Sequence, residues 1–270
     1  MISVCAGQKM TALHNIFLSG EGVSTMFELP ENLQYLKETI NQTLLPSNVL
    51  HFTPSDTKPW ESKLGGCPYL KSAEDYPRDA HQKPMMFLAQ INLEEMPKLK
   101  GFPQTGILQF YIADNDCYGY EEPCKVIYID STDCCKGALL TEKPAQLQTE
   151  NENLPYEKEC RITFEPEQMP VSSTVEGFYE IVKRAHKEDE DKLFELLYDG
   201  SSRIGGYPSF VQNPVECYET GEKKVLLLQL DCDDNAGLMF GDSGNCQFFI
   251  SEKDLANLNF TDVFYDWACC

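Results

Sequence analysis

The stretch SRIGGYPSF, residues 202–210, decides how this chain is organised, because SKLGGCPYL, residues 62–70, repeats its pattern in the first half. Each copy carries a Gly-Gly pair with a proline two positions later, and the two pairs are 140 positions apart. Adjacent glycines are typical of a tight turn with positive φ, and the proline restricts the path of the chain after it. The two stretches therefore predict the same turn at two places in one fold.

Apolar runs follow each copy of the turn in the same order. The runs are residues 85–91 and 106–112 in the first half, and residues 225–230 and 244–250 in the second. The first run of each half contains one glutamine, Gln90 or Gln229, and the second run contains another, Gln109 or Gln247. Three matching segments in one order predict an internal duplication, which with only two copies gives a pseudo-symmetric globule.

Alternating apolar residues and one helical stretch place the chain in the α+β class. Leu108, Phe110 and Ile112 share one face of a strand, as expected where that face is buried in a core. Leucines at helical spacing follow Pro30, a residue that favours the first turn of a helix. The sequence predicts an internally duplicated α+β fold with two pseudo-symmetric, mostly antiparallel sheet halves and a few peripheral helices.

The length of 270 residues suits one large domain, and we predict a single domain over residues 1–270. Within it the first repeat spans about residues 49–130 and the second about residues 188–267. Residues 137–160, rich in Glu, Gln and Pro, are predicted to form an exposed connector.

The charge of the chain narrows the class of partner. With 43 acidic and 22 basic residues the net charge is −21. Such a chain is a poor match for a nucleic-acid backbone or an anionic membrane, both of which attract clustered Lys and Arg. The charge is compatible with a solvated acidic surface that serves solubility alone, with a basic protein partner, or with metal cations.

No run approaches the ~18 apolar residues of a membrane span, and the first residues lack the pattern of a signal peptide. We therefore expect a cytoplasmic protein, whose 12 cysteines are mostly free thiols. Their spacing matches no zinc-binding pair, so no metal or cofactor is predicted.

Five residues are candidates for a binding site. They are Lys63, Gln90, Arg203, Gln229 and Asp242. The two glutamines either tie neighbouring strands and loops together or line a cleft between the halves. The two cations beside the Gly-Gly turns either pair with local carboxylates or hold an anionic ligand.

Asp242 belongs to Gly-Asp-Ser-Gly, residues 241–244, the tetrapeptide that surrounds the nucleophile of trypsin-like proteases. None of the four histidines has a protease context, so we interpret these residues as a turn and predict no catalytic residue.

Taken together, SKLGG-x-P, FLAQINL and GILQFYI in the first half, with GGYPSFVQ, LLLQLD and FGDSG before QFFI in the second, carry a family resemblance. The chain resembles the YwqG-like family of uncharacterised bacterial proteins from about residue 29 to residue 267. Phe240 stands where that family usually has tryptophan. The resemblance implies a compact, internally duplicated α+β protein, and it implies no established activity, substrate or catalytic residue.

Two hypotheses follow for the function. The first is a non-catalytic cytosolic binding protein, of an immunity or regulatory type, whose acidic surface suits a basic protein partner. The second is a protein that binds a small molecule or a metal, enzymes included, in a cleft between the two repeats lined by the five candidate residues.

Overall fold

The computed structural model describes residues 27–130, 139–142, 147 and 154–270. Ten strands form one sheet, and all of its strand pairs are antiparallel. The strands are β1 Leu45–Pro54, β2 Lys63–Leu64, β3 Met86–Asn92, β4 Ile107–Ile112, β5 Lys125–Ile129, β6 Cys160–Met169, β7 Arg203–Gly205, β8 Val225–Leu230, β9 Asn245–Ile250 and β10 Phe264–Ala268. The predicted mostly antiparallel sheet is confirmed.

The helices of the described residues are few, as predicted, and they are short. They are α1 Lys37–Asn41, α2 Phe178–Val182, α3 Glu190–Leu196, α4 Glu216–Glu219 and α5 Glu252–Ala256, with 3₁₀ turns at Glu31–Leu36, Ala73–Asp75 and Lys187–Asp189. The helix expected after Pro30 begins as 3₁₀ and becomes α-helical at Lys37. None of the helices in the described ranges is long and apolar enough to cross a membrane.

The order of the strands is β10-β9-β8-β7-β1-β6-β2-β3-β4-β5. The two long strands β1 and β6, ten residues each, pair along their whole length at the centre, with His51 opposite Thr163. Four strands lie on each side of this central pair, in chain order from the centre outwards. The two glycine turns of the sequence follow β2 and end β7, so each lies next to the central pair.

The sheet curls into a half-barrel around one apolar core on its inner face. Phe110 of β4 and Phe248 of β9 meet there with ring centroids 5.1 Å apart, although their strands lie far apart in the sheet. Near the outer strands, Trp267 donates a hydrogen bond of 2.8 Å to the carbonyl of Cys117. The residues that alternate inwards therefore build a core to which strands from both sides of the sheet contribute.

The outer face carries two separate apolar clusters. Helices α1 to α3 cover β8 and β9 around Leu226 and Phe249, whereas loops cover β3 and β4 around Phe87 and Tyr111. Among the described residues, neither cluster extends over the outward side chains of β1 and β6, of which His51 and Glu165 are exposed. We call these side chains the outer strip; they are Val49, His51, Thr53, Arg161, Thr163, Glu165 and Glu167.

The predicted connector, residues 137–160, lies partly outside the described residues. Among those described, Leu147 is buried in the outer cluster over the first half, and Cys160 opens β6 in the inner core. The hydroxyl of Tyr156 donates a hydrogen bond of 2.8 Å to the carbonyl of Phe87. These parts of the segment pack against the sheet because their apolar side chains fill gaps in its two faces.

Candidate functional site

The glycine turns have the backbone that the sequence predicts. Gly65 and Gly205 have φ values of 65° and 72°, a conformation that a side chain disfavours. A Cβ atom at Gly65 would lie 2.7 Å from the ring of Tyr156, and one at Gly205 would lie 2.6 Å from Leu99. Both turns are therefore closed over by other parts of the chain, which leaves no room for a phosphate or another ligand at the glycines themselves.

Gln90 and Gln229 make matching hydrogen bonds in the two halves. Gln90 accepts from the amide of Tyr69 at 2.7 Å and donates to the carbonyl of Glu61 at 2.9 Å. Gln229 accepts from the amide of Ser209 at 2.9 Å and donates to the carbonyl of Ser201 at 2.9 Å. Both side chains are fully buried, so these bonds satisfy polar groups that would otherwise be costly.

A second glutamine completes each arrangement. Gln109 donates to the carbonyl of Tyr69 and to Gln90, both at 2.9 Å. Gln247 donates to the carbonyl of Ser209 at 3.3 Å and to Gln229 at 3.4 Å. We call each pair of glutamines, with the loop that it holds, an amide clamp. The clamps tie the loops after the glycine turns to the sheet, in agreement with the structural alternative for these side chains.

Lys63 is a buried cation held by main-chain oxygens. Its Nζ donates to the carbonyl of Lys58 at 2.7 Å and to that of Cys67 at 2.8 Å. No carboxylate in the described part of the chain lies within 4.0 Å of this Nζ. Burial lowers the pKa of Lys63 from 10.5 to about 8, and the more distant charge of Glu159 opposes that shift.

Arg203 has the corresponding place in the second half, and it has two carboxylate partners. Its Nη1 lies 2.9 Å from Glu167 and its Nη2 lies 2.6 Å from Asp199. Burial raises the pKa of Glu167, against the pull of Arg203. Burial also acts to raise the pKa of Asp199, but Arg203 and Ser201 outweigh it and the pKa is lowered. The guanidinium is fully buried, and so it is closed to a ligand.

Strand register shows how four of the predicted site residues are related. Lys63 lies opposite Gln90 on one side and Arg161 on the other, and Arg203 lies between Gln229 and Val49. Because paired residues share a face, both rows of side chains lie on the outer face and end at the outer strip. Lys63 and Arg203 remain three strand spacings apart, ~14 Å across the strands.

Asp242 belongs to neither row. It is exposed in the turn before β9, and its carbonyl accepts a hydrogen bond of 3.3 Å from the amide of Cys270. The structure thus places Lys63 and Gln90 together, and Arg203 and Gln229 together, on opposite sides of the outer strip. It does not gather the five residues around one cleft.

The charged and titratable side chains of the outer strip are two carboxylates, Glu165 and Glu167, with the basic groups of His51 and Arg161. His51 Nε2 lies 3.0 Å from Glu165 Oε2, with about half of each side chain exposed, 53% and 47%. At the other end, Arg161 forms an ion pair of 2.9 Å with Glu95, whose second oxygen also accepts from Ser62. Such a surface can form ion pairs with a partner. No group of three or more His, Cys, Asp or Glu side chains in the described ranges is placed to hold a metal.

Sequence reasoning missed the carboxylates that surround the second clamp. Asp231 follows β8, accepts hydrogen bonds of 2.7 Å from both Asn245 and the amide of Cys232, and has its pKa raised by burial from 3.8 to about 6. The equivalent position of the first half is Asn92, which donates to the carbonyl of Trp60. A signal for Asp231 was present in the sequence, because aligning the two halves places this acid at the position of the amide Asn92.

The chain was compared with known protein families and with curated proteins. The model of the family described as "Domain of unknown function (DUF1963)" matches residues 62–269. No curated protein matches the chain. The family match covers both glycine turns, both amide clamps and strand β6 of the outer strip. The chain therefore belongs to the DUF1963 family, whose domain has no assigned function.

Proposed function

We propose that this protein is a non-catalytic, cytosolic binding protein whose outer strip contacts a basic protein. The observation that carries the proposal is the net charge of −21, with 43 acidic against 22 basic residues. Two of the basic residues, Lys63 and Arg203, are buried, and Lys223 is bound to Asp262. We infer that the exposed side chains carry the acidic excess, which attracts and orients a partner of opposite charge.

The outer strip is the part of the sheet best suited to such a contact. It lies on two long strands between two apolar clusters, and the side chains exposed on it are those of His51, Thr53, Thr163 and Glu165. The carboxylates on it and beside it are Glu95, Glu165, Glu167 and Asp199, and the guanidinium groups there are Arg161 and Arg203. The positive charge of Arg203 is compensated by its ion pairs with Glu167 and Asp199.

We also propose that the two halves arose by duplication within one domain, and that the protein is related to the YwqG-like bacterial family. Support comes from the order of strands on the two sides of β1 and β6 and from the matching amide clamps. Main-chain bonds match as well: the amide of Ile162 donates to Ser62, and that of Leu50 donates to Ser202.

The test uses affinity capture followed by a charge reversal. The immobilised wild-type protein is expected to retain a basic protein from a cell extract at ~0.15 M salt, and to release it at higher salt as screening grows. The affinity of that purified partner is then measured for wild type, Glu165→Lys and Glu122→Lys, which is an exposed site in the loop after β4. Glu165→Lys should weaken binding about tenfold or more, and Glu122→Lys about threefold or less.

Two outcomes count against the proposal. If the wild type retains no basic protein, the proposed function is wrong. If both charge reversals weaken binding equally, net charge alone drives the contact and the outer strip is not its site.

A further inference from the structure

A cavity lies beside the point where the chain leaves β6. Its volume is about 220 Å³, and it is bounded by Val171 and Val175 after β6, Tyr207 after the second glycine turn, and Tyr218 on α4. The amide of Tyr207 contacts Met169, the last residue of β6, at 3.4 Å from its sulfur. The cavity is therefore adjacent to the end of the strand that contributes half of the outer strip.

The walls of the cavity are apolar and aromatic, and its rim is acidic. Two valines and the ring of Tyr218, which is 7% exposed, form the walls. Glu176 and Glu219 also line the cavity, and both are exposed to solvent. The hydroxyl of Tyr207 is already bound to the carbonyl of Thr43 at 2.7 Å, so this residue offers its ring rather than a polar group.

The size of the cavity favours a single side chain over a small molecule or cofactor as its occupant. Sites for small molecules and cofactors usually enclose ~300–1,000 Å³, so a cavity of about 220 Å³ is small for them. One long side chain with an apolar stem and a charged end fits the chemistry of the walls and the rim.

The chain shows that an ammonium group is accepted at this place. Lys224 lines the cavity, and its Nζ lies 4.2 Å from the centroid of the Tyr218 ring. Such a geometry is an attractive cation–π contact. The preceding lysine, Lys223, is turned inwards to Asp262 instead. Lys224 is exposed, so a competing cation can displace it without unfolding the chain.

We propose that this cavity receives one lysine or arginine side chain of the basic partner. The stem of that side chain packs against Val171 and Val175, and its charged end lies beside Glu176 and Glu219 at the Tyr218 ring, in place of Lys224. The inference rests on the proposed function and adds a specific anchor to it. An exposed ion pair alone contributes little, whereas the ring and the partly enclosed walls favour a cation that is held in the cavity.

The probe for the test is a fluorescein-labelled octalysine peptide, titrated at ~0.15 M salt with fluorescence anisotropy as the readout. The cavity variant is Glu176→Gln/Glu219→Gln. Its matched control is Glu94→Gln/Glu122→Gln, which makes the same change of charge at two exposed sites outside the cavity. We expect the cavity variant to weaken binding about tenfold and the control about twofold or less.

A second comparison removes Lys224, the chain's own cation in the cavity. Lys224→Met should tighten octalysine binding about threefold, and Lys192→Met, on the exposed face of α3, should tighten it less, because it removes only net charge. Thermal melting of each variant confirms that it is folded.

The outcomes distinguish the two proposals. If wild type binds octalysine and the cavity variant loses no more affinity than its control, the cavity is not the anchor, and the proposed function stands. If wild type does not bind octalysine at this salt concentration, both the anchor and the preference for a basic partner are wrong.

Discussion

The two amide clamps have the same hydrogen-bond pattern, but the cations next to them are stabilised in different ways. Lys63 donates to two carbonyl oxygens, whereas Arg203 bridges the carboxylates of Glu167 and Asp199. Both cations are fully buried and each lies opposite the clamp glutamine of its own half. The shared register thus determines where a cation lies, and residues that differ between the two halves determine which partners it has.

The comparison also shows how each half compensates the charge of its buried cation. A buried charge without partners is too costly to keep, so each half supplies its own solution from nearby main chain or acids. In the first half Lys63 is stabilised by neutral carbonyl oxygens. Its pKa falls to about 8 because the nearby negative charge of Glu159 only partly offsets the effect of burial. In the second half the charge of Arg203 is compensated by the carboxylates of Glu167 and Asp199.

The largest expected difference between the halves is the cost of removing the cation. Arg203→Met leaves Glu167 and Asp199 without their shared partner, which should lower the free energy of unfolding by about 3–5 kcal/mol. Lys63→Met removes one donor from each of two carbonyl oxygens, and that of Lys58 still accepts from the amide of Glu61, so it should cost about 1–3 kcal/mol. Urea denaturation followed by circular dichroism measures both values. An equal cost for the two variants, or a larger cost for Lys63→Met, would contradict the assignment of the partners.

Lys63 also predicts a pH dependence that belongs to the first half. Since its pKa is 10.5 when unfolded and about 8 when folded, the unfolded chain binds more protons between these values. Stability due to this group therefore rises as pH increases from about 8 to about 10.5, by up to about 3 kcal/mol. The measurement is the difference in unfolding free energy between wild type and Lys63→Met across this range. Lys98→Met, at an exposed lysine, controls for the loss of one charge; a difference curve that is flat or falls would refute the prediction.

Much of the sheet is predictable from local patterns. The glycine turns, the clamp glutamines and strands β3, β4, β8 and β9 all follow from repeated segments whose alternation matches a buried strand. These elements need only their own side chains to be recognised. The pairing of Gln90 with Gln109, and of Gln229 with Gln247, then follows from the order of the strands.

The central pair of strands was harder to predict. β6 runs from Cys160 to Met169, but its outward side chains are charged and Pro166 cannot donate a hydrogen bond to a ladder, so its sequence does not have the pattern of a strand. β1 likewise begins at Leu45, next to Pro46. Both strands depend on pairing with each other across more than a hundred positions, which no local pattern reveals.

The partners of Arg203 were beyond prediction for the same reason. Glu167 comes from β6 and Asp199 from the loop after α3, and neither lies in a segment that the first half repeats. An acid excess predicts that a buried cation will find carboxylates, but it does not say which ones. For Lys63 of the first half, local carboxylates were one of the two alternatives, and its described hydrogen bonds go to carbonyl oxygens.

The smallest expected effect concerns Asp231, whose equivalent position in the first half is occupied by Asn92. Burial raises the pKa of Asp231 from 3.8 to about 6, so the folded chain binds more protons between about pH 4 and pH 6. Stability due to this group is present below pH 4 and is lost as pH rises through 6, by roughly 1–2 kcal/mol because the carboxyl keeps part of its solvent contact.

Asp231→Asn should abolish this slope and leave a nearly constant difference from wild type above pH 7. One of the two hydrogen bonds, from Asn245 or from the amide of Cys232, is kept by the amide oxygen, which limits the cost of the substitution. Melting temperatures of wild type and Asp231→Asn between pH 4 and pH 8 measure the slope, and Asp234→Asn, at an exposed acid three positions away, is the control. If Asp231→Asn and Asp234→Asn change the pH profile alike, burial does not distinguish Asp231, and the two halves differ at this position only in side-chain identity.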